Sequence, residues 1–526
     1  MNGLRHCEKF PFQKFCANLL LQRADCRENS ASLRILAVTS TDINRNQVLR
    51  KKHIHLRQYS VLGDKMIQEI CIKASVIILS VLQSQTKIKN GVVCNPTKYF
   101  DTIYRLQSRV LQISAKHQFD SEFSFNKNIT TQTSEEKKAL EDFEIWFEAQ
   151  NMGSINLSYL YELMLLLEFP VRDGKITSDG ENLNSIGSFY TPTELADKIV
   201  NLTLDNYIHI NAGIKGFSAS SKTEDQVLLV TELLLNSTFA DYSCGTGSFL
   251  MAILRYCKSF LRISANDLKL IALNFNTIEA DSLSLEIAKL QVLEAIDDFS
   301  LYSKLSKKFV HGNPLIAPSN EYPNYDFCHE FYYHNSLAME SNQIPKCDVV
   351  VGNPPWGTVG FDLQHYFLLL CPNLNAIANA SDLEIAIEKL SKTHPNLYKW
   401  LLLHDGAIDL ACEEIYNDER FEHSTMGGLH TNVLFTELCN EMCTERGTVG
   451  LILKGSTLSD SINKRLVNYL ASQKRIQARF NFLNTNNIFN IEQKEEFSIL
   501  ILGPNGSEEF SSQTRLTHLG QLDPNR

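Results

Sequence analysis

The chain has no excess of positive charge, since its formal net charge is −10 at pH 7. This balance excludes a surface that is basic throughout, so contact with nucleic acid would need a local basic region or a partner that supplies one. A long apolar run is also lacking: the best, Ala74–Leu82, is far shorter than the ~20 residues that cross a bilayer. With no secretory signal at Met1–Leu20 either, we expect a cytoplasmic protein that does not bind membranes.

Paired cysteine spacing is absent as well. Thirteen Cys are scattered along 526 residues. Cys439 and Cys443 stand four apart on a predicted helix, with no second Cys or His pair to complete a zinc site. The sequence therefore predicts reduced thiols and no bound metal. Internal repeats are missing too, and the length allows two or three domains with full-sized cores.

The first third of the chain is dominated by helical periodicity. One of its helices is expected to begin at the capping-box pair Thr133 and Glu136 and to end near Gln150. Apolar residues at helical spacing predict the others, over Asp64–Gln85, Tyr99–Ile113 and Leu157–Glu168. We therefore divide the chain into a mostly helical region 1–150, an α/β domain 151–503 with an insertion at about 357–428, and a flexible tail 504–526.

The stretch that organises the α/β domain is a buried strand that stops abruptly. The run Cys347–Val351 predicts a strand buried on both faces, as in a parallel sheet, and Gly-Asn-Pro-Pro-Trp ends it. The Asn353 side-chain oxygen and the Pro354 carbonyl are two acceptors that could hold both hydrogens of an exocyclic amine, with Trp356 stacking on the base. The alternative is that Asn-Pro-Pro only terminates a strand, and the motif alone does not decide between the two.

A glycine turn lies upstream. The short strand Thr238–Ala240 is followed by Asp241, by Gly245 and Gly247, and by an amphipathic helix, which together predict the first βα unit of a nucleotide-binding type of fold. The glycines let the backbone approach a ligand closely, and Asp241 suits a cationic or amine group. An ordinary tight strand–helix turn is the alternative.

Polar residues follow the next two predicted strands. Glu279 is our candidate for binding ribose hydroxyls, with Asp281 in reserve, although either could be a helix N-terminal charge. Asn313, at the end of the strand that begins at Phe309, could bond an adenine edge or start a turn. Later strands are predicted over Gly447–Leu453, Arg479–Leu483 and Phe497–Leu502.

A helix start precedes the glycine turn. Thr191 at N-cap, Pro192 at N1 and Glu194 at N3 predict it. Phe189, Tyr190 and Thr191 could line a pocket at its positive N-terminus, or the segment could be simply a well-capped helix.

Taken in order, Phe-Tyr-Thr-Pro, Asp-Tyr-Ser-Cys-Gly-Thr-Gly, Ile-Glu-Ala-Asp, Gly-Asn-Pro-Leu and Gly-Asn-Pro-Pro-Trp resemble the γ-class amino-methyltransferases of DNA. The similarity covers about residues 150–503 and is closest to the methyltransferase core of type IIG restriction–modification and BREX-type phage-defence proteins. The resemblance implies a Rossmann-like, S-adenosylmethionine-dependent methyltransferase sheet. It further implies a site-specific enzyme that methylates the N6 amine of adenine in double-stranded DNA.

The same resemblance assigns the site residue by residue. Asn353, Pro354, Pro355 and Trp356 would hold the flipped adenine, and Phe489 matches a second stacking aromatic. The residues implied to bind S-adenosylmethionine are Tyr190, Thr191, Asp241, Cys244, Gly245, Gly247, Glu279 and Asn313.

Some positions depart from the family pattern. Tyr242 and Ser282 stand where Pro is commoner, Asn313 replaces Asp, and Trp356 replaces Tyr or Phe. We find neither a nuclease constellation nor a target-recognition domain after the last core strand. We therefore expect either a separate specificity subunit or a truncated reading frame.

Other functions remain open at this point. The acceptor amine could belong to cytosine N4, RNA adenine or a protein glutamine, because an amide nitrogen poses the same geometric problem. The Tyr-Thr-Pro segment and the long insertion favour the nucleic-acid enzymes. An inactive DNA-binding or scaffold subunit of a defence complex is the alternative from another class.

Overall fold

The computed structural model describes residues 63–119, 133–150, 155–178, 191–319, 336–360, 362–377, 379–489, 491, 494–504 and 510–522. Tyr190 lies outside these residues, as do residues 1–60. The described chain forms two compact units. One contains the residues up to 178 together with 362–407, and the other contains 191–360 together with 408–522.

The helices, in chain order, are α1 (Gly63–Gln85), α2 (Pro96–Phe119), α3 (Ser134–Ala149), α4 (Leu157–Leu165), α5 (Thr193–Ala212), α6 (Glu224–Leu235), α7 (Ser248–Phe260), α8 (Ala265–Leu273), α9 (Ser282–Ala295), α10 (Tyr302–Leu305), α11 (Leu363–Leu370), α12 (Pro372–Asn375), α13 (Ala380–Thr393), α14 (Pro395–Asn417), α15 (Thr431–Glu441) and α16 (Lys464–Ser472).

The strands are β1 (Ile88–Lys89), β2 (Val92–Val93), β3 (Val171–Arg172), β4 (Lys175–Ile176), β5 (Phe239–Asp241), β6 (Phe275–Glu279), β7 (Phe309–His311), β8 (Cys347–Gly352), β9 (Cys443–Lys454), β10 (Ile476–Leu483), β11 (Glu496–Leu502) and β12 (Ser511–Leu516).

The first unit is helical, with two short hairpins. Thr133 caps α3 as predicted, because its side chain accepts a hydrogen bond from the Glu136 N–H. The Glu136 carboxylate is buried and forms a salt bridge with the Arg105 guanidinium at 2.8 Å. Part of the insertion belongs to this unit: Trp400 stacks on Phe100 with 5.4 Å between ring centroids. Four helices therefore account for residues 363–417, apart from the three short breaks between them.

Helix α1 is the one helix among the described residues that is long and apolar enough to cross a membrane. A core helix passes the same test of length and composition. Ile70, Ala74, Ile78 and Leu82 form a fully buried stripe at i, i+4 spacing, and α1 packs against α2, α3 and α4. Packing within the helical unit thus accounts for the buried face of α1, whereas Ile72 and Val76 on the same helix are exposed.

The second unit is built on one eight-stranded sheet, in the order β12-β10-β11-β9-β8-β5-β6-β7. Strand β11 runs antiparallel to both of its neighbours, and the other adjacent pairs are parallel. Val349, Val350 and Val351 in the central strand β8 are at most 1% exposed. The predicted fold class, an α/β protein with a Rossmann-like sheet, is confirmed.

The strand order reverses between β5 and β8. From β5 the chain moves outward through β6 to β7, and then returns to place β8 on the other side of β5. In open α/β sheets, ligands bind beside the carboxyl ends of the strands at such a reversal. Asp241 ends β5, and Asn353 follows β8 directly.

The tail differs from its sequence prediction. Residues beyond 503 were expected to be flexible, yet β12 pairs in parallel with β10 at the edge of the sheet. Most residues of this strand are exposed or half-buried. An edge strand of this kind lacks the apolar alternation by which strands are recognised in sequence.

Candidate active site

Two glycines shape the turn between β5 and α7. Gly245 has φ 51° and Gly247 has φ 92°, both in the left-handed region that glycine favours. A Cβ atom on Gly247 would lie 3.1 Å from the Ala288 Cβ, whereas one on Gly245 would meet nothing within 4 Å. Gly247 therefore permits close packing of α7 on α9, and Gly245 leaves the backbone of the turn accessible.

Glu279 contacts this turn directly. Its carboxylate accepts hydrogen bonds from the Gly245 N–H at 2.7 Å and from the Asp281 N–H at 3.0 Å. Asp281 instead caps α9, accepting from the backbone of Leu283 and Ser284. Of the two acidic residues left open by the sequence, Glu279 is the one at the glycine turn.

Asp241 is the last residue of β5 and lies against Gly352, the last residue of β8. It is 1% exposed, accepts a hydrogen bond from the Ser243 N–H, and its Oδ1 lies 3.1 Å from where a Cβ on Gly352 would be. Burial raises the pKa of Asp241 to about 8, and the nearby Glu279 adds to this shift. Burial likewise raises the pKa of Glu279 to about 7. These carboxyl groups are placed to gain charge when a cation arrives.

Cys244 also belongs to the glycine turn. Its backbone N–H donates to the Ile278 carbonyl at 3.2 Å, which ties the turn to β6. The side chain is buried, and burial raises the pKa of the thiol well above its usual value. A thiol with so high a pKa is not a nucleophile at neutral pH, so we expect Cys244 to contribute to the packing of the turn.

The Asn353 turn (residues 353–356) is held by two side-chain contacts. The Trp356 indole Nε1–H donates to Asn353 Oδ1 at 3.1 Å, and Asn353 Nδ2 donates to the Thr191 hydroxyl at 3.2 Å. Because an indole N–H can only donate, the atom facing it must be the amide oxygen. The orientation of the Asn353 amide is thereby set.

Thr191 is not the N-cap residue of α5 that the sequence predicted. Helix α5 begins at Thr193 with Pro192 at the N-cap position and without a side-chain cap, one residue later than expected. The Thr191 hydroxyl accepts from Asn353 instead. The capping pattern located the helix but not the partner of the hydroxyl, because that partner lies 162 residues away.

The two proline carbonyls of the turn differ. The Thr431 hydroxyl donates to the Pro355 carbonyl oxygen at 2.6 Å. Among the described residues, no donor contacts the Pro354 carbonyl oxygen. Pro354 therefore offers the acceptor that the sequence analysis assigned to it. Thr431 belongs to none of the motifs singled out in the sequence.

Phe489 lies beside the turn. Its ring is fully buried and meets the Trp356 indole edge to face, with 5.3 Å between centroids and 74° between planes. Its backbone N–H donates to the Asn484 side chain at 3.0 Å. The two aromatic residues singled out in the sequence, 133 positions apart, are thus neighbours in the fold.

Asn313 follows β7 and forms a local turn. Its Oδ1 accepts a hydrogen bond from the Leu315 N–H at 3.0 Å, and the adjacent Gly312 N–H donates to the Glu279 carbonyl at 3.0 Å. The residue thus lies next to Glu279 in the sheet and also starts a turn. In the part of the chain that the structure describes, no group of three His, Cys, Asp or Glu side chains is placed to hold a metal ion.

A scan against protein-family models finds no match, and neither does a search of curated proteins. Solved structures do match. A Listeria monocytogenes protein assigned to the class I S-adenosylmethionine-dependent methyltransferases is 13% identical with TM-score 0.40, over 86% of this chain and 94% of that one. DrdV in complex with DNA is 13% identical with TM-score 0.43, over 91% and 44%.

The type IIG restriction endonuclease BpuSI is 13% identical with TM-score 0.36, over 86% of this chain and 39% of that one. The chain therefore spans less than half the length of DrdV and BpuSI, and nearly all of the Listeria protein. At these identities the likeness concerns the fold alone.

Proposed function

We propose that the protein transfers a methyl group from S-adenosylmethionine to the N6 amine of adenine in DNA, as the modification enzyme of a restriction–modification or phage-defence system. The observation that carries the proposal is the pairing of two acceptors, Asn353 Oδ1 and the Pro354 carbonyl, at the carboxyl end of β8. Gly352, which directly precedes Asn353, lies against the buried Asp241 at the reversal of strand order. Exocyclic amines with two hydrogens are the groups that such a pair suits.

The groups at the reversal of strand order fit the proposed cofactor. Carboxyl groups that gain charge near a cation suit its ammonium and sulfonium groups, and an accessible glycine backbone suits close approach. When bound, S-adenosylmethionine supplies an electrophilic methyl group. We propose that Tyr190, Thr191, Asp241, Cys244, Gly245 and Gly247 hold its methionine part, Glu279 its ribose and Asn313 its adenine.

The chain's own contribution to the reaction is to orient and polarise the amine. Asn353 Oδ1 has two lone pairs, so it can accept from the amine while keeping the Trp356 indole bond. With its hydrogens held by Asn353 and Pro354, the N6 nitrogen is drawn toward a tetrahedral shape that favours attack on the methyl carbon. As the new N–C bond forms, the sulfur–carbon electrons return to sulfur and one N6 proton leaves to solvent.

The aromatic pair determines how the base is held. We propose that the adenine leaves the duplex and stacks on Trp356, because a stacked base cannot bring its amine to a methyl donor inside a protein. Phe489 is fully buried against the indole, so we propose that it supports Trp356 from behind. The net charge of −10 makes a separate specificity subunit the expected source of much of the DNA contact.

The test is Asn353→Ala in the full chain. We expect methyl transfer from labelled S-adenosylmethionine to double-stranded DNA to fall about 100-fold or more, the effect of losing one aligned transition-state hydrogen-bonding group. Cofactor affinity measured by calorimetry is expected to stay within a few-fold, because Asn353 faces the amine rather than the cofactor. Asn211→Ala is the matched control: this asparagine donates to the Arg446 carbonyl on another surface and should leave the rate unchanged.

Parallel reactions with RNA and with glutamine-containing protein identify the acceptor. Transfer to either of these in preference to DNA would reject the DNA assignment. Transfer by the alanine variant at the wild-type rate would reject the role of Asn353.

A further inference from the structure

The segment after Trp356 is paired with the segment that leads into α15. The Val359 N–H donates to the Leu429 carbonyl at 2.8 Å, and the Thr431 N–H donates to the Gly357 carbonyl at 2.9 Å. Thr358 and His430 form an antiparallel bridge between them. Residues 357–359 and 429–431 therefore form a short two-stranded clamp immediately beyond the Asn353 turn.

The Thr431 hydroxyl extends this clamp into the turn itself. Its Oγ1 lies 2.6 Å from the Pro355 carbonyl oxygen and 2.9 Å from that of Gly357. It also accepts the Gly357 N–H at 3.1 Å. One side chain thus bonds the backbone on both sides of Trp356. Thr431 is 4% exposed, so water does not compete for these bonds.

Helix α15 is a rigid base for this contact. Every residue from Thr431 to Asn440 is buried, and the helix packs against β9, the neighbour of β8. Asn432 donates from its side chain to the Thr457 hydroxyl in the loop after β9. Glu437 accepts from the backbone N–H and the ring of His423. Contacts in the first and second halves of the helix therefore hold it in place.

We propose that Thr431 is a positioning residue for methyl transfer, holding the Pro355 carbonyl so that the Asn353 and Pro354 oxygens point at the substrate amine. The inference rests on the function proposed for the Asn353 turn. Aligned acceptors must be held to within about 0.5 Å, and a displacement of about 1 Å can cost 100-fold in rate. A turn with two consecutive prolines has no N–H at either proline to secure itself, so an outside donor must hold it.

The decisive variants are Thr431→Val, which removes the hydroxyl at nearly constant volume, and Thr431→Ser, which keeps it. Thr436→Val is the matched control, because Thr436 is fully buried on the same helix and, among the described residues, its hydroxyl donates only to the Asn432 carbonyl within α15. Two quantities are measured in the full chain: the single-turnover rate of methyl transfer, and the fluorine NMR resonance of 5-fluorotryptophan at Trp356. The Trp356 resonance is assigned with Trp356→Phe.

We expect Thr431→Val to slow transfer about 10- to 100-fold and to shift or broaden the Trp356 resonance, with cofactor affinity within about twofold of wild type. Thr431→Ser and Thr436→Val are expected to stay within about threefold in rate, with the resonance unchanged. If the valine variant does not fold, Thr431→Ala makes the same comparison without placing a methyl group against the carbonyls.

Wild-type transfer and an unchanged resonance in Thr431→Val would overturn the proposal, as would an equal loss in Thr436→Val. If the wild-type protein methylates no substrate, the proposed function fails separately. The Trp356 resonance, compared between the valine and serine variants, then decides alone whether the hydroxyl orders the turn.

Discussion

At the scale of single residues, two carboxyl groups lie at the reversal of strand order, where burial makes their ionised forms unfavourable. Burial raises the pKa of both Asp241 and Glu279; Glu279 further raises the pKa of Asp241, and Asp281 further raises that of Glu279. In the ligand-free protein Asp241, with its pKa at about 8, is therefore largely protonated at pH 7. A bound cation favours the ionised form, so cofactor binding and proton release should be coupled.

This coupling predicts the pH dependence of cofactor binding. Since the bound cation lowers both pKa values, affinity for S-adenosylmethionine should rise with pH from 6 and level off above about 8, where free Asp241 is already ionised. The binding heat at pH 7 should differ between phosphate and Tris buffers, because released protons are taken up by the buffer. Calorimetry across this range makes the measurement.

Asp241→Asn is the control for that prediction. It removes the group with the higher pKa and should flatten the rise between pH 7 and 8. An affinity that falls with rising pH would contradict the coupling.

Folding stability changes in the opposite direction: both folded pKa values lie above their usual values, so the ligand-free protein takes up protons on folding and becomes less stable as pH rises toward 8.

Tyr242 makes a structural contact at the turn after β5. Its ring is 2% exposed, and its hydroxyl donates to the Pro345 carbonyl at 2.5 Å. The side chain therefore connects the turn after β5 to the segment that enters β8. A proline at this position could not make that connection.

At the scale of elements, the site depends on how closely α7 and α9 pack behind the glycine turn. Gln291 on α9 donates to the Thr246 carbonyl at 2.7 Å, and Gly247 faces the Cα and Cβ of Ala288. These contacts connect the helix after β6 to the turn after β5. The turn is thus shaped by two helices rather than by its own sequence alone.

Gly247→Ala tests this packing. The added methyl would occupy a left-handed backbone position and lie 3.1 Å from the Ala288 Cβ. We expect a loss of about 2–4 kcal/mol in the free energy of unfolding, which combines backbone strain with overpacking. Urea denaturation followed by circular dichroism measures it.

Gly213→Ala is the matched control for Gly247→Ala. It has φ 72° and no atom within 4 Å of the added Cβ, so it should cost about 1–2 kcal/mol from backbone strain alone. Equal losses in the two variants would show that the α7–α9 contact contributes nothing.

At the scale of the whole molecule, the chain is interleaved rather than divided end to end. The helical unit takes residues from both sides of strands β5 to β8, and α14 begins in that unit and ends in the other. Its aromatic cluster joins Phe100, Tyr366 and Trp400, which are up to 300 positions apart. The residues up to 178 and residues 362–407 therefore both contribute to the core of the helical unit.

Trp400→Ala tests that dependence. Trp400 is 2% exposed and stacks on Phe100, so its removal should lower stability by about 3–5 kcal/mol, as for other buried large aromatics. Chemical denaturation of the full chain measures the loss. Ile385→Ala, on the neighbouring α13 and 65% exposed, should change stability by no more than about 0.5 kcal/mol. A tryptophan variant as stable as this control would refute the shared core.

The sequence by itself determined the features that depend on neighbouring residues. Apolar periodicity located α1, α2 and α4, an apolar run located β8, and the Gly-x-Gly and Asn-Pro-Pro patterns placed turns at strand ends, because each of these patterns depends on neighbouring residues. The contact of Glu279 with the glycine turn, the hydroxyl partner of Thr191 and the contact of Thr431 with the Asn353 turn were decided only by the tertiary structure. So were the membership of residues 362–407 in the helical unit and the pairing of β12. Each depends on a partner far along the chain, and no local pattern encodes which distant backbone will supply it.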